Sequence, residues 1–293
     1  MGYLRTIMVK EYKPLLQLFL LIIAFNLLLY TSSIFEAGWV VDDHINLRQH
    51  KSHGDILGEW THPTYQHAGG NAGHIWRPIP ATLQHIAALI FDRTPSVFRG
   101  LNLGIHILNG LILAFFLVKN NRSLAVFLVL FWLSHPMQTE VVCWSSDIYD
   151  LLMTSFLLLA TVTIASSPVM GVLAFFLALL SKEVALAALP ALLYLCWKDR
   201  SPTTALGILL SAGLYLFLHQ NITANHYTET MTEGNLLLQV ESWLENLAWW
   251  IYIPAQAPFA HLSEQHDVLS IAFSLIGGLA ILGLWYQYPR QRC

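Results

Sequence analysis

Charge is what this sequence has least of: Asp, Glu, Lys and Arg together make up 11% of its 293 residues, and the formal net charge is only -3. No block of basic residues exists anywhere in the chain. A nucleic-acid partner and a polybasic lipid anchor are therefore not indicated, because both depend on clustered Lys and Arg. Cysteine is also sparse. Cys143, Cys196 and Cys293 lie far apart without metal-ligand spacing, so at most one disulfide is available and the redox compartment is not indicated. Internal repeats and low-complexity segments are absent as well, which leaves no sign of a solenoid.

Apolar residues fill the space that charge leaves. They make up 55% of the chain, the mean hydropathy is +0.53, and apolar runs recur that approach or reach the roughly 20 residues needed to cross hydrocarbon. This is the composition of an all-α polytopic membrane protein. Eight spans are expected, at about 14–32, 96–118, 123–136, 149–166, 169–181, 183–197, 203–219 and 267–286. Those near 123–136 and 169–181 are short, which points to helices that end against protein instead of at the lipid surface.

The first run follows Arg5, Lys10 and Lys13, as in a signal peptide, but no convincing small-residue cleavage site follows and further spans do. It reads as a retained first helix. With the N-terminus in the cytoplasm, Lys119, Arg122, Lys198, Arg200, Arg290 and Arg292 also fall inside, as the positive-inside bias requires. The stretch 243–253, with Trp249 beside Trp250 and Pro254 at its end, reads as an interfacial helix, because a ninth crossing would expel the basic tail.

On this topology the chain is one membrane domain over 1–293, with a first outer loop at 33–95 and a second at 220–266. The first loop is too long for a connector and holds Asp42, Asp43, seven histidines and Arg77. Within it, 82–91 has the apolar spacing of a short helix along the membrane, whereas "HAGGNAGH" at 67–74 reads as a flexible turn. Asn121-Arg-Ser123 and Asn221-Ile-Thr223 match the glycosylation triplet, a weak signal, and the first would be cytoplasmic.

Polar residues inside or at the mouth of spans are the candidates for chemistry, since hydrocarbon penalises them unless they are used. Asn102, His106 and Asn109 repeat at helical spacing on one face of the second span, where interhelical hydrogen bonding is the plainer explanation. "LSHPMQTEVVCWSSDIYD" carries His135, Glu140, Asp147 and Asp150 to the same outer side as Asp42 and Asp43. In "LLSKEVALAALP", Lys182 and Glu183 stand between two apolar runs with no real loop, either paired structurally or used in a site. In "WRPIP", Arg77 sits beside Trp76 and before Pro78, where a rigid turn would fix its direction.

Taken in order, "VVDD", "WRPIP", "PSVFRGLNLGIHILNG", "FWLSHPMQTEVVCWSSDIYDLL" and "LLSKEVAL" have the spacing of a known family. Over about residues 15–200 the chain resembles the transmembrane, tetratricopeptide-repeat-containing O-mannosyltransferases and their bacterial relatives, within the GT-C glycosyltransferase superfamily. The resemblance implies a GT-C-like bundle that takes a sugar from a polyprenyl phosphate carrier on the outer or lumenal side. By position, Asp42 or Asp43 matches the family's acidic pair, where the catalytic base is expected. Arg77, His135, Glu140, Asp150, Lys182 and Glu183 match its other recurrent polar positions. The sequence departs from the family at Ile148, where an Arg is usual, and in having no tetratricopeptide repeats.

The chemistry of transfer agrees with these assignments. A carboxylate, Asp42 or Asp43, would accept the proton of the attacking hydroxyl, and direct displacement would invert the anomeric centre. Arg77 and Lys182 would hold the departing phosphate, with His106, His135, Glu140, Asp147, Asp150 and Glu183 as polar pocket residues. The partners implied are the lipid-linked donor, an acceptor glycan, lipid or protein, and membrane lipids. A divalent metal ion held by the carboxylates with His44, His50, His53, His62, His67 and His74 is an alternative that no diagnostic spacing supports. A flippase or a non-catalytic accessory subunit for lipid-linked sugars is the competing reading. The compact chain points to a bacterial inner membrane, with the endoplasmic reticulum as the eukaryotic equivalent.

Overall fold

A computed structural model describes residues 2–36, 38, 39, 43, 56–64, 75–91, 93–118 and 122–223. Among these residues the fold is entirely helical. The helices are α1 (Gly2–Glu36), α2 (Gly58–Thr61), α3 (Pro78–Ile90), α4 (Pro95–Leu117), α5 (Arg122–Leu133), α6 (Pro136–Cys143), α7 (Ile148–Thr163), α8 (Pro168–Ser181), α9 (Leu189–Lys198) and α10 (Pro202–Thr223). Short 3-10 turns over Ser145–Asp147 and Glu183–Ala188 precede α7 and α9.

Proline sets many of these boundaries. Pro78, Pro95, Pro136, Pro168 and Pro190 occupy the first or second position of α3, α4, α6, α8 and α9. There the missing N–H is not needed and the fixed φ suits the first turn. Pro136 also divides an apolar run: α5 stops at Leu133, and α6 leaves at 62° to it.

Among the described residues, four helical stretches are long and apolar enough to cross a membrane: Leu16–Glu36, Pro95–Leu117, Ser145–Thr163 and Pro202–Thr223. The bent pair formed by α5 and α6 makes a fifth if it is one span. Burial is distributed as lipid requires. Leu28, Val169 and Trp197 are at least 74% exposed, while Asn26, Arg99, Asn102, His106 and Asn109 are fully enclosed. Apolar groups outside and polar groups inside invert the arrangement of a water-soluble bundle and suit an integral membrane protein.

Helices occur at the first seven expected spans, but the sixth is not a continuous α-helix. Its first part is the 3-10 turn Glu183–Ala188, and α9 is ten residues long. The eighth expected span, the stretch 243–253, the turn at 67–74 and the second outer loop from residue 224 onward lie outside the described residues, while residues 220–223, expected in that loop, continue α10.

The main apolar core joins α7, α8 and α10 around Phe175, Leu179, Ile208 and Tyr215. A second core packs α1 against α4 and α5 through Leu18, Ile22, Ala114 and Leu133. Close approach in the α7–α8 hairpin depends on Gly171, where a Cβ would lie 2.8 Å from Ile164 Cα. Between the cores, Asn109 Nδ2 donates to Leu151 O at 3.0 Å, and Ser155 Oγ donates to Asn109 Oδ1 at 2.5 Å. Asn109 thus fastens α4 to α7 by the interhelical hydrogen bonding expected of it.

Candidate functional site

Six residues, Ser145 to Asp150, form the hub of the polar cluster. They comprise the 3-10 turn and the start of α7. Ser145 and Ser146 donate their backbone N–H groups to the Asp43 carboxylate at 3.3 and 2.7 Å, and Ser146 Oγ donates at 2.7 Å. Asp43 is fully buried there. Free N–H groups at a helix start, together with the positive end of its dipole, favour a carboxylate in this place.

One turn further on, the same segment reaches two cations. The guanidinium of Arg77 lies over the Tyr149 ring, 5.1 Å from its centroid, and Tyr149 Oη donates to Gln84 Oε1 at 3.3 Å. Arg77 caps α3, and its own N–H donates to Thr64 Oγ1 at 2.7 Å. Its fork grips Glu183 with two bonds, Nε to Oε2 at 2.9 Å and Nη2 to Oε1 at 2.5 Å. Beside it, Lys182 Nζ donates to Asp150 Oδ2 at 2.5 Å.

Lys182 and Glu183 therefore bond outward to different helices. Lys182 is extended (φ -160°, ψ 133°) at the end of α8, a position where the helix dipole favours a cation. Asp150 stands in the first turn of α7, where the dipole favours an anion. Asp147 interacts with Asp150, Lys182 and Glu140. Glu140 itself is exposed on α6.

Two other sequence candidates have local roles. His135 caps α6 by accepting the Met137 N–H on Nδ1 at 3.4 Å, and its ring meets Phe131. His106 is enclosed between the Tyr30 and Trp132 rings, at 5.8 and 5.2 Å between centroids. Asp42 and the histidines 44, 50, 53, 67 and 74 lie outside the described residues, whereas His62 is exposed and bonds Thr61. Among the described residues, no three His, Cys, Asp or Glu side chains are grouped to hold a metal ion.

Sequence reasoning passed over Ser145, Ser146, Tyr149 and Gln84. The two serines carried a signal, since "SSD" before an apolar run is typical of a helix start. Tyr149 and Gln84 carried none, because the contact between α3 and α7 is tertiary.

Comparison with protein-family models, with curated proteins and with solved structures returns no match. The chemistry of the cluster must therefore be argued from its own groups. It contains two part-buried cations, each held by a carboxylate, beside a buried carboxylate locked to backbone donors. Such an arrangement suits the exchange of a carboxylate for another oxyanion. Arg77's two-pronged fork fits phosphate as well as it fits Glu183, and Lys182 adds a point charge.

Proposed function

We propose that this chain is a membrane glycosyltransferase of GT-C type with an eight-span bundle. It would move a sugar from a polyprenyl phosphate carrier to an acceptor hydroxyl on the outer or lumenal face, with inversion at the anomeric carbon. The observation that carries the reading is the segment Ser145–Asp150, which links the first-loop acid Asp43 to Arg77 through Tyr149 and to Lys182 through Asp150. Transfer from a lipid phosphate needs a base and phosphate-binding cations within one substrate length of each other. Roughly 6 Å of helix axis separates Ser146 from Asp150. Five sequence motifs in the order of the O-mannosyltransferases add independent support.

Asp42 takes the role of base in this reading, and Asp43 holds it in place. A base must offer a lone pair to the acceptor hydroxyl. Asp43 is enclosed, and its carboxylate is already occupied by three donors from Ser145 and Ser146. The donor phosphate would displace Glu183 from Arg77 and draw on Lys182, so that both cations stabilise the charge left on the carrier. His135, Glu140, Asp147, Asp150 and His106 remain supporting polar groups.

The test is transfer of radiolabelled sugar by purified protein from a panel of polyprenyl phosphate sugars, with membrane extract as acceptor source. Turnover or donor hydrolysis that disappears in Asp42→Asn supports the reading. Donor binding without turnover on any donor would sink it in favour of a flippase or accessory subunit.

A further inference from the structure

Arg99 is a fully buried cation inside the apolar span Pro95–Leu117, and the chemistry proposed above does not use it. A guanidinium in such a place is costly unless its donors are spent, so its partners reveal what it is for. Nε donates to Cys143 O at 2.6 Å, Nη1 to Ser33 O at 3.5 Å, and Nη2 to Gly38 O. Ser33 is in the last turn of α1, Gly38 just beyond that helix, and Cys143 is the last residue of α6. Carbonyls at helix C-termini lack intrahelical donors and carry the negative end of the dipole. One side chain on α4 therefore satisfies the ends of two other helices.

These acceptors lie close in sequence to Asp43 and to the serines that hold it. Gly38 lies five residues before Asp43, and Cys143 two residues before Ser145, whose N–H holds the Asp43 carboxylate. Asn102, nearly one turn along α4, adds bonds from Nδ2 to Val141 O at 3.3 Å and Trp144 O at 2.8 Å. Arg99 and Asn102 together fix the backbone of 141–144, the approach to the serines that grip Asp43. Arg99 also fixes the backbone at 38, from which the chain runs to Asp42.

We propose that Arg99 is the positioning residue of Asp43: it sets the distance between the end of α1 and the end of α6, and thereby the place of that acid relative to the 145–150 segment. The geometry stands without the glycosyltransferase reading; only the consequence for turnover rests on that reading. Lysine would keep the charge but lacks the planar fork that reaches three carbonyls at once, so it should restore the role in part.

The experiment uses the full chain in detergent with Arg99→Gln and Arg99→Lys, and reads two quantities. The first needs no turnover. With Cys143, Cys196 and Cys293 replaced by Ser, Asp42→Cys is labelled by a charged thiol reagent. The labelling rate should change at least threefold in Arg99→Gln, with Arg99→Lys in between; equal rates in all three backgrounds would overturn the proposal. The second is steady-state transfer in proteins that retain Asp42. Arg99→Gln should lose at least tenfold in kcat with donor KM within about twofold, and Arg99→Lys should recover part of it. Unchanged kcat, or a raised KM with unchanged kcat, would overturn the positioning role. If Arg99→Gln does not elute as a folded species, Arg99→Lys carries both comparisons. If the wild type turns over no donor, the glycosyltransferase reading fails, while the labelling comparison still decides the role of Arg99.

Discussion

Lys182 Nζ donates to Asp150 Oδ2 at 2.5 Å, joining the end of α8 to the first turn of α7. The next residue, Glu183, bonds Arg77 on α3, so two adjacent residues fasten α8 to two different helices. Both pairs are partly enclosed, and neither cation is free of an acid. Under the proposed function, stability and donor binding would draw on the same side chains.

Removing one member of the Lys182–Asp150 pair strands the other. With side chains only 20% and 29% exposed, Lys182→Met should cost about 1–3 kcal/mol, less than for a fully buried pair. Lys182→Met combined with Asp150→Leu should be less destabilised than Lys182→Met alone, because no unpaired charge remains. Thermal unfolding of the purified variants checks this. In transfer assays the double variant should stay impaired at least tenfold in kcat/KM, since the phosphate has lost a cation. If the double variant were the least stable of the set, desolvation would not be what the pair answers to.

Arg77→Lys keeps the charge and removes the fork. The guanidinium makes two bonds to Glu183 and lies on the Tyr149 ring, and an ammonium cannot reproduce that planar geometry. Donor KM should rise by roughly tenfold, equivalent to about 1.4 kcal/mol of lost binding, with a smaller change in kcat. Titration of donor in steady-state transfer gives both constants. An unchanged KM would remove Arg77 from the phosphate site.

Much of this architecture was legible in the sequence because membrane helices announce themselves by long apolar runs and by proline at their starts. Pro95, Pro168 and Pro202 open helices close to where the expected spans begin. The 3-10 stretch before α9 was not legible, since "EVALAALP" has apolar content without a period that separates 3-10 from α-helix. Charges in expensive places located Lys182, Glu183 and Arg77, but not which acid each would meet. Those partners are 32 residues away for Lys182 and 106 for Arg77, and only the packing of α7 on α8 and α3 brings them together. Arg99 carried the same signal of a charge inside a span, but its partners are backbone carbonyls, which no side-chain pattern reveals.

Asp42→Asn and Asp43→Asn should fail in different ways. At position 43 the amide keeps the shape of the carboxylate, but only one of its two ends accepts. Its NH2 would face groups among the Ser145 N–H, Ser146 N–H and Ser146 Oγ donors that now converge there. A buried donor left without an acceptor costs about 1–3 kcal/mol, so Asp43→Asn should unfold at lower temperature and retain reduced transfer. Asp42→Asn should abolish transfer, because the acceptor hydroxyl would then have no carboxylate to take its proton. Paired measurements of melting and transfer decide the assignment. If Asp43→Asn were fully stable and inactive while Asp42→Asn turned over normally, the two roles would have to be exchanged.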